Sequence, residues 1–278
     1  MGYTILKINV LLKNSRIGET IMKLNVKNYV TKNKEILKRE ITESGLKPKL
    51  TIIKNNNDPR SDAYVRNKIK DCEEVGIEVE LTTEFKEKYT NPTICQLPYD
   101  GLTDKEAIKQ ANIPAELDVD GFNTLSDYKP CTPMGVINYL NHLNKLNPFT
   151  NIVIIGRGEL VGKPLVEILM NNKDLYGTIN VITSKTSRLV AKELIALADV
   201  IITATGHNLD LGLLKEITPC TTIIDCGIQV VDGKLSGDIP KKCYNSFYTN
   251  VNYTPVPNGV GLLTRLTLLQ HVWDYYSK

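Results

Sequence analysis

The sequence predicts an α/β protein with two α/β domains that flank a cleft, the second of them a Rossmann-like, doubly wound parallel sheet. Its 278 residues exceed the usual size of a single domain. Segments with strand periodicity alternate with amphipathic helical segments in both halves of the chain. Between the halves lies DGFNTLSDYKPCTPMG, a passage rich in turn-forming residues, where we place a hinge.

The first half reads as a small α/β domain. Helices are predicted at residues 26–44, at 61–76 and from near 104, and strands are predicted at residues 50–54, 77–81 and 93–97. We expect the first domain to span residues 1–139. Residues 1–21 are expected to form an extension before Met22, and the terminal helix at residues 260–278 is expected to join this domain.

The second half alternates more regularly, and we assign residues 140–259 to the second domain. After a helix at residues 135–146, strands are predicted at residues 151–155, 179–183, 200–204 and 222–225. A glycine-rich turn and a helix that runs to Asn171 follow the first of these strands. This order of elements is typical of a nucleotide-binding fold.

Composition excludes several classes of protein. The net charge of +3 is small and no basic run occurs, so no nucleic-acid partner is expected. No apolar run reaches the length of roughly 18 residues that spans a bilayer, so no membrane partner is expected either. The six cysteines and three histidines lack metal-site spacing, so we expect no metal, reduced thiols and a cytoplasmic location.

The turn after the strand at residues 151–155 is a candidate nucleotide site. Gly156, Gly158 and Gly162 open a helix there, so that bare backbone could approach a pyrophosphate at the helix N-terminus. The spacing is not that of GxGxxG, and glycines at this place can also serve only a tight turn.

The next strand indicates which cofactor would bind. An NAD site usually ends this strand with an acid for the ribose hydroxyl, whereas here it ends in Thr183, Ser184 and Lys185. Arg157, Ser184 and Lys185 suit a 2′-phosphate, which favours NADP over NAD. The alternative is that Arg157 and Lys185 are ordinary surface charges.

Four polar residues of the first half form a second candidate site. Helical spacing places Tyr64 and Lys68 on one face, where the amine could transfer protons if it were buried. The commoner alternative is an exposed lysine beside a half-buried tyrosine. Gln96 leaves a strand, and Asp120 lies in the acidic segment LDVDGF, although either could simply serve a strand end or a turn.

Taken together, the motifs from about residue 22 to the C-terminus resemble the tetrahydrofolate dehydrogenase/cyclohydrolase family. In chain order they are YVRNKIKDCEEVGI, QLP, DVDGF, PCTPMG, GRGELVGKP, SKTS, ADVIITATG, IIDCGI, GDI and TPVPNGVGLLT. The resemblance implies NADP-dependent oxidation of 5,10-methylenetetrahydrofolate to 5,10-methenyltetrahydrofolate, followed by hydrolysis to 10-formyltetrahydrofolate. It also implies a homodimer through the nucleotide-binding domains and a place in one-carbon metabolism and purine biosynthesis.

Site residues follow from the same resemblance. It gives Lys68 as the catalytic lysine, Tyr64 as the stacking tyrosine, Gln96 as the residue that positions the lysine and Asp120 as the pterin-binding aspartate. The substrate would contact Tyr64, Gln96, Leu97, Pro98, Asp120, Pro257, Gly259 and Gly261. The cofactor would contact Gly156, Arg157, Gly158, Val161, Gly162, Ser184, Lys185, Thr205, Gly206, Gly227 and Ile228.

The chain also departs from the family pattern. Gly158 replaces a serine, Thr183 a histidine, Leu117 a lysine, Asn258 a glycine and Leu262 a proline, and the stretches NTLSDY and LPYDGL are altered. Two alternatives therefore stay open. One is an NAD-linked, monofunctional methylenetetrahydrofolate dehydrogenase, and the other is a catalytically lapsed paralogue that binds folate or nucleotide.

Overall fold

The computed structural model describes residues 22–56, 59–97, 104–231, 233–244 and 251–278. The predicted extension at residues 1–21 lies outside the described residues, as do Pro98 and the loop residues that follow it. The elements, in chain order, are β1 (Met22–Lys23), α1 (Val26–Ser44), β2 (Lys49–Ile53), α2 (Pro59–Val75), β3 (Glu78–Thr82), β4 (Thr93–Cys95), α3 (Asp104–Ala111), α4 (Cys131–His142), β5 (Asn151–Ile155), α5 (Gly162–Met170), β6 (Thr178–Ile182), α6 (Arg188–Leu197), β7 (Val200–Thr203), α7 (Leu211–Leu214), β8 (Thr222–Asp225), β9 (Gln229–Val231), β10 (Lys234–Ser236), α8 (Lys241–Tyr244), β11 (Asn252–Tyr253) and α9 (Val260–Ser277).

The predicted helices and strands all form, most of them within two residues of their predicted ends. The helix predicted at residues 135–146 is the exception, because it forms at Cys131–His142. Pro133 occupies the first turn of this helix, where proline is tolerated, and the left-handed φ of 53° at Asn144 lies just beyond its end. The short strands β1, β9, β10 and β11 were not predicted, because two or three residues carry no readable periodicity.

The structure divides into two compact units. The first unit comprises Lys27–Gly135 and Leu262–Lys278, and the second comprises the described residues up to Val26 together with Val136–Gly261. All three divisions fall inside helices, namely α1, α4 and α9. The sequence-based limits, residues 1–139 and 140–259, stay predictions of the functional domains.

The first unit contains a parallel sheet with strand order β3-β2-β4. An isolated parallel bridge between Thr93 and Asp118 extends this sheet beyond β4. Apolar side chains of the strands and helices, among them Leu50, Ile52 and Val65, form a buried core. Strands β2 and β4 of this sheet are almost entirely buried, as expected where helices cover a parallel sheet.

Helix α2 of the first unit is fixed by a buried cluster of charges. The carboxylate of Asp71 accepts a hydrogen bond of 2.6 Å from Lys34 of α1 and another from Arg265 of α9. Lys34 also bonds Glu74 at 2.7 Å. These paired charges satisfy one another away from water, so they tie α1 and α9 to the helix that carries Tyr64 and Lys68.

The second unit contains a six-stranded parallel sheet with strand order β1-β11-β8-β7-β5-β6. The chain proceeds from β5 to β6 on one side and then crosses to β7 on the other, so β5 and β7 flank a topological switch point. Register pairs Ile155 with Ile182 and with Thr203, and Thr203 with Asp225, which aligns the carboxyl ends of four strands at one edge. In open α/β sheets this edge is where ligands bind.

Two smaller features complete the description. An antiparallel hairpin of β9 and β10 follows β8 and exposes several apolar side chains. Among the helices that the structure describes, none is long and apolar enough to cross a membrane.

Candidate active site

Helix α2 presents Tyr64 and Lys68 one turn apart, on a face that is largely withdrawn from solvent. The ammonium nitrogen of Lys68 lies 5.4 Å from the centre of the Tyr64 ring, within the range of a cation–π contact. Lys68 is only 5% exposed and Tyr64 is half-buried. The structure therefore favours the buried, functional alternative for this pair over an ordinary surface lysine.

Burial of Lys68 is not offset by an ion pair with any carboxylate in the described part of the chain. Asp71, one turn further along α2, already accepts hydrogen bonds from Lys34 and Arg265. Burying an ammonium without a counter-ion costs free energy, and such buried charges occur mainly at functional sites. Lys68 is thus the strongest catalytic candidate of the first unit.

Gln96 directly follows β4 and brings a second buried polar group to this region. Its backbone N–H donates to Ile53 at 2.8 Å, and its side-chain amide donates to the Leu97 carbonyl at 2.5 Å. The side chain is 8% exposed, and its oxygen Oε1 is buried without a partner among the described residues. An unpaired buried acceptor is suited to receiving a donor such as a lysine ammonium or a ligand N–H.

Asp120 lies in a loop that its neighbour Asp118 organises. The Asp118 carboxylate accepts the N–H groups of Asp120 and Gly121, both at 3.1 Å, and that of Asn123 at 2.6 Å. Burial raises the pKa of Asp118 to about 6, although these N–H donors oppose the increase. Asp118 therefore shapes the loop that carries Asp120, whose 9% exposed side chain is hydrogen-bonded to the Cys131 thiol.

The groups of this site influence one another electrostatically. Burial raises the pKa of the Cys131 thiol far above its usual value, the Asp120 charge raises it further, and the Lys68 charge opposes both. Burial likewise raises the pKa of the Tyr64 phenol, which Arg265 and a hydrogen bond with Thr264 lower. The side chains of Lys68, Tyr64, Asp120 and Cys131 thus lie close enough in the first unit for the charges of Asp120 and Lys68 to act on their neighbours.

In the second unit, glycines allow two backbones to approach at the switch point. Gly156 follows β5 with φ of +108°, and a Cβ there would overlap the carbonyl oxygen of Ala204, which follows β7. A Cβ at Gly162, the first residue of α5, would overlap the Gly156 carbonyl. The turn is therefore packed so closely that only glycine fits at either position.

The remaining predicted cofactor residues of this turn are open to solvent. Arg157 and Gly158 are exposed, Val161 is half-buried, and no side chain caps the N-terminus of α5. Pro164 has no N–H and the Lys163 N–H donates to the Gly158 carbonyl at 3.0 Å, so among the first three residues of this helix the Gly162 N–H is the donor left for a phosphate oxygen. No atom lies within 4 Å of where a Cβ at Gly158 would stand, so the serine usual in the family would fit.

Ser184 and Lys185 are exposed beyond the end of β6, next to the turn after β5. Thr183, which replaces the family histidine, builds their turn, because its hydroxyl accepts the Lys185 N–H at 3.2 Å. The described turn contains no acid that would hold a ribose hydroxyl as in NAD sites. A cradle of close glycines, an uncapped helix and two exposed cations fits a dinucleotide with a 2′-phosphate.

The ends of β7 and β8 carry the other predicted cofactor residues. Thr205 and Gly206 follow β7 and are partly exposed, whereas Gly227 is buried and Ile228 is exposed after β8. Asp225, the last residue of β8, has two possible roles at this edge, contact with the cofactor or support of a turn. The structure supports the second role, because Asp225 is 1% exposed and its carboxylate accepts three backbone N–H groups and the Thr203 hydroxyl.

Two further substitutions relative to the family have a physical explanation. Asn258 adopts φ of +73°, a left-handed conformation that asparagine tolerates better than other residues with a Cβ. Leu117 is buried in an apolar cluster with Ile53, Tyr89 and Cys95, so a leucine here contributes to packing where the family has a lysine. Neither exchange removes a group from the constellation of Lys68, Gln96 and Asp120.

The predicted substrate contacts are divided between the two units. Leu97 is half-buried in the first unit, where its carbonyl accepts hydrogen bonds from Gln96 and from Ser61. Pro257, Gly259 and Gly261 belong to the second unit, in the segment from β11 into α9. A cis peptide bond joins Val256 to Pro257.

Histidines and metals were expected to play no part. Among the described residues, no three or more His, Cys, Asp or Glu side chains form a group that could hold a metal ion. His271 is buried and satisfied, since its Nδ1 lies 2.9 Å from the Val119 carbonyl oxygen and 3.7 Å from the Cys131 sulfur. Burial lowers the pKa of His271.

Sequence reasoning missed Asp238 as a residue of the site region. It lies in the GDI segment, is fully buried, and accepts the backbone N–H of Thr205 at 2.7 Å. An acid enclosed by small and apolar residues was the available signal, but only the fold shows which loop it contacts.

Comparison with known proteins gives the same family for both parts of the chain. The tetrahydrofolate dehydrogenase/cyclohydrolase catalytic domain matches residues 22–97, and the NAD(P)-binding domain of the same family matches residues 130–278. The bifunctional protein FolD of Halalkalibacterium halodurans is 34% identical over 88% of this chain and 95% of its own. That of Methanospirillum hungatei is 32% identical over 91% and 96%, respectively.

Solved structures with the same architecture include the bifunctional methylenetetrahydrofolate dehydrogenase/cyclohydrolase FolD of Campylobacter jejuni. It is 26% identical, with a TM-score of 0.77 over 92% of this chain and 99% of its own. The bifunctional enzyme of Thermoplasma acidophilum is 25% identical, with a TM-score of 0.75 over 91% and 97%. The chain therefore belongs to the tetrahydrofolate dehydrogenase/cyclohydrolase family.

Proposed function

We propose that this chain is a bifunctional enzyme of one-carbon metabolism. It oxidises 5,10-methylenetetrahydrofolate to 5,10-methenyltetrahydrofolate with NADP and then hydrolyses that product to 10-formyltetrahydrofolate. The observation that carries the proposal is Lys68, a buried ammonium without an ion pair in the described structure, next to the Tyr64 ring. Family membership and the bifunctional relatives, 32–34% identical, support both reactions.

Hydrolysis is the task of the first unit. A water molecule adds to the electron-poor bridging carbon of the methenyl group and one carbon–nitrogen bond breaks. Of the water's two protons, one passes to the released nitrogen and the other is lost to solvent. Lys68 orients this water as an ammonium or, as the neutral amine, takes a proton from it, and the Tyr64 ring and Gln96 position the amine. The buried acceptor Oε1 of Gln96 is available for that purpose. Asp120 accepts hydrogen bonds from the amino face of the pterin.

Oxidation requires the second unit to bind NADP, which accepts the hydride that leaves the bridging carbon. Gly156, Arg157, Gly158, Val161 and Gly162 would hold the pyrophosphate by backbone N–H groups and charge. The cofactor would also meet the loops that follow β6, β7 and β8, through Ser184, Lys185, Thr205, Gly206, Gly227 and Ile228. The exposed Arg157, Ser184 and Lys185 provide for a 2′-phosphate, which selects NADP over NAD.

We further propose a cytoplasmic homodimer that supplies formyl groups for purine biosynthesis. No two of the six cysteines, all of which lie in the described part of the chain, form a disulfide bond, in keeping with a reducing compartment. The hairpin of β9 and β10 and the residue before it expose Ile228, Val230, Val231 and Leu235. Exposed apolar side chains along an unpaired strand edge favour association of two second units.

A two-cofactor assay with wild type, Lys68→Met and the control Lys70→Met tests the proposal. Lys70 lies on the same helix but is exposed. Wild type should reduce NADP far better than NAD, and the methenyl absorbance should then decay. Lys68→Met should slow the decay by roughly 100-fold or more, because a positioned proton-transfer group contributes on that order. Lys70→Met should behave as wild type.

The other outcomes identify the alternatives. A methenyl product that persists in wild type, with NAD preferred, would identify a monofunctional dehydrogenase. Calorimetric binding of folate and NADP without turnover would identify a lapsed, ligand-binding paralogue. Equal rates for wild type and Lys68→Met would contradict the role of the lysine.

A further inference from the structure

We propose that Asp238 is a positioning residue that fixes the loop after β7 in the conformation that binds the dinucleotide. The proposal rests on the proposed function, since it concerns the affinity of the second unit for NADP. The loop in question comprises residues 204–209, between the end of β7 and the start of α7. It includes Thr205 and Gly206, and β7 flanks the topological switch point of the sheet.

Asp238 contacts both ends of this loop. Its carboxylate oxygen Oδ2 accepts the Thr205 N–H at 2.7 Å, and its backbone carbonyl accepts the Leu209 N–H at 2.8 Å. Within the loop, the Thr205 hydroxyl bonds both the carbonyl and the N–H of His207, at 2.9 and 3.1 Å. Asp238, which lies outside the loop, therefore bonds both ends of it, and Thr205 adds hydrogen bonds between residues of the loop itself.

Asp238 is in turn held by Asp225 at the end of β8. The Asp225 carboxylate accepts the N–H groups of Asp238 at 3.0 Å and of Ile239 at 3.1 Å. Register places Asp225 beside Thr203, the last residue of β7, so the anchor belongs to the rigid sheet. Asp225 at the end of β8 thus holds Asp238, and Asp238 holds Thr205.

The surroundings of the two carboxyl groups are built to accommodate them. A Cβ at Gly227 would overlap the Asp238 carboxylate, and a Cβ at Gly237 would overlap that of Asp225. Asp238 is 0% exposed, and its second oxygen Oδ1 has no partner among the described residues. Burying a carboxyl group is costly. A neutral apolar residue would fill the space at a lower cost in free energy. What the carboxylate provides in its place is an acceptor for the Thr205 N–H.

Two variants separate positioning from packing. Asp238→Asn keeps an oxygen for the Thr205 N–H at nearly the same volume, and Asp238→Leu keeps the branched four-atom side chain but removes that oxygen. We expect Asp238→Leu to raise the dissociation constant for NADP, measured by calorimetry, at least 10-fold, while Asp238→Asn stays within about threefold of wild type. The control Asp210→Ala removes the exposed cap of α7 beside the same loop and should stay within twofold.

A second readout does not involve the cofactor. Without NADP, amide hydrogen exchange at residues 204–209 should become faster in Asp238→Leu, while the amides of β7 stay protected. The hydrolysis of methenyltetrahydrofolate, which needs no NADP, should change less than twofold. Should Asp238→Leu fail to fold, Asp238→Ser replaces it, because the shorter hydroxyl side chain does not reach the Thr205 N–H.

Some results would overturn the inference. Unchanged NADP affinity in a folded Asp238→Leu or Asp238→Ser protein would contradict it. Parallel losses of NADP affinity, hydrolysis and thermal stability in the Leu and Asn variants would show that Asp238 serves only the fold. A wild-type protein that binds no NADP would instead contradict the proposed function, so the two failures are distinguishable.

Discussion

The two candidate ligand-binding sites, one in each unit, differ in the groups that they offer to a ligand. We call the site of the first unit the buried edge and that of the second unit the backbone edge. In the first unit the candidate chemistry resides in buried side chains, those of Lys68, Gln96 and Asp120. In the second unit it resides in backbone that glycines allow to pack closely, with the cations Arg157 and Lys185 left in solvent. The difference follows from the ligands: proton transfer needs desolvated groups, whereas a pyrophosphate needs N–H groups and screened charge.

Both edges nevertheless share one device, a buried carboxyl group that ties down a loop. Asp118 accepts three backbone N–H groups in the first unit, and Asp225 accepts three and a hydroxyl in the second. Burial raises the pKa of each to about 6. A buried carboxyl group therefore shapes a loop in each unit. The two units differ in the groups offered to a ligand, which are buried side chains in the first and backbone in the second.

The largest effect should come from breaking the backbone edge. Gly156→Ala places a Cβ against the Ala204 carbonyl at a φ of +108°, so the turn must move. We expect the unfolding free energy of the second unit to fall by about 3 kcal/mol and NADP affinity to fall at least 100-fold. Gly158→Ala is the control, because a Cβ there has open space. Calorimetry measures both, and equal affinities for the two variants would contradict the close-packed turn.

A smaller effect is expected from one side chain of the buried edge. Gln96→Leu removes, at similar volume, a buried acceptor that has no partner among the described residues, so the fold should remain stable while Lys68 loses the acceptor that we propose positions it during hydrolysis. Hydrolysis of methenyltetrahydrofolate should slow by about 10- to 100-fold, and NADP affinity should not change. Stopped-flow absorbance measures the rate. Hydrolysis at the wild-type rate would remove Gln96 from the mechanism.

The shared device makes stability depend on pH. Because the pKa of Asp118 and of Asp225 is raised from 3.8 to about 6 by folding, the folded protein holds protons that the unfolded chain has lost. The resulting stabilisation is present below about pH 4 and is lost as the pH rises through 6, by about 3 kcal/mol for each group. Unfolding midpoints from pH 4 to 7 should show this slope.

Asparagine variants test whether Asp118 and Asp225 cause this dependence of stability on pH. Asp118→Asn and Asp225→Asn should each remove part of the pH dependence, whatever their effect on absolute stability. Exposed Asp127→Asn is the control and should leave the slope unchanged. A slope that both variants retain would show that other groups cause it.

The smallest effect is a gain at the backbone edge. Gly158→Ser restores the hydroxyl that the family usually has, in space that is free of other atoms. We expect NADP to bind about two- to fivefold more tightly, in line with one added neutral hydrogen bond of ~0.5–1 kcal/mol, and the melting temperature to stay the same. Weaker NADP binding would mean that the turn in this chain depends on glycine for another reason.

Much of the fold followed from the sequence because its signals are local. The alternation of apolar strands and amphipathic helices gave the two α/β parts, and the strands at Asn151–Ile155 and Thr222–Asp225 formed as predicted. The absence of an acid after the strand that ends at Ile182 indicated NADP for the same reason, since it concerns one strand end. The folate chemistry of Lys68 followed from motif resemblance, because spacing alone also fits an exposed lysine.

Only the tertiary structure decided the questions that depend on contacts between distant segments. Lys68 is buried without an ion pair among the described residues, and the carboxylate on the next turn, Asp71, already binds Lys34 and Arg265, which lie 37 and 194 residues from it. Asp225 supports a loop, and Asp238 reaches Thr205 across 33 residues. Periodicity and motifs report the neighbours of a residue along the chain, whereas burial and hydrogen bonding depend on which segments the fold brings together.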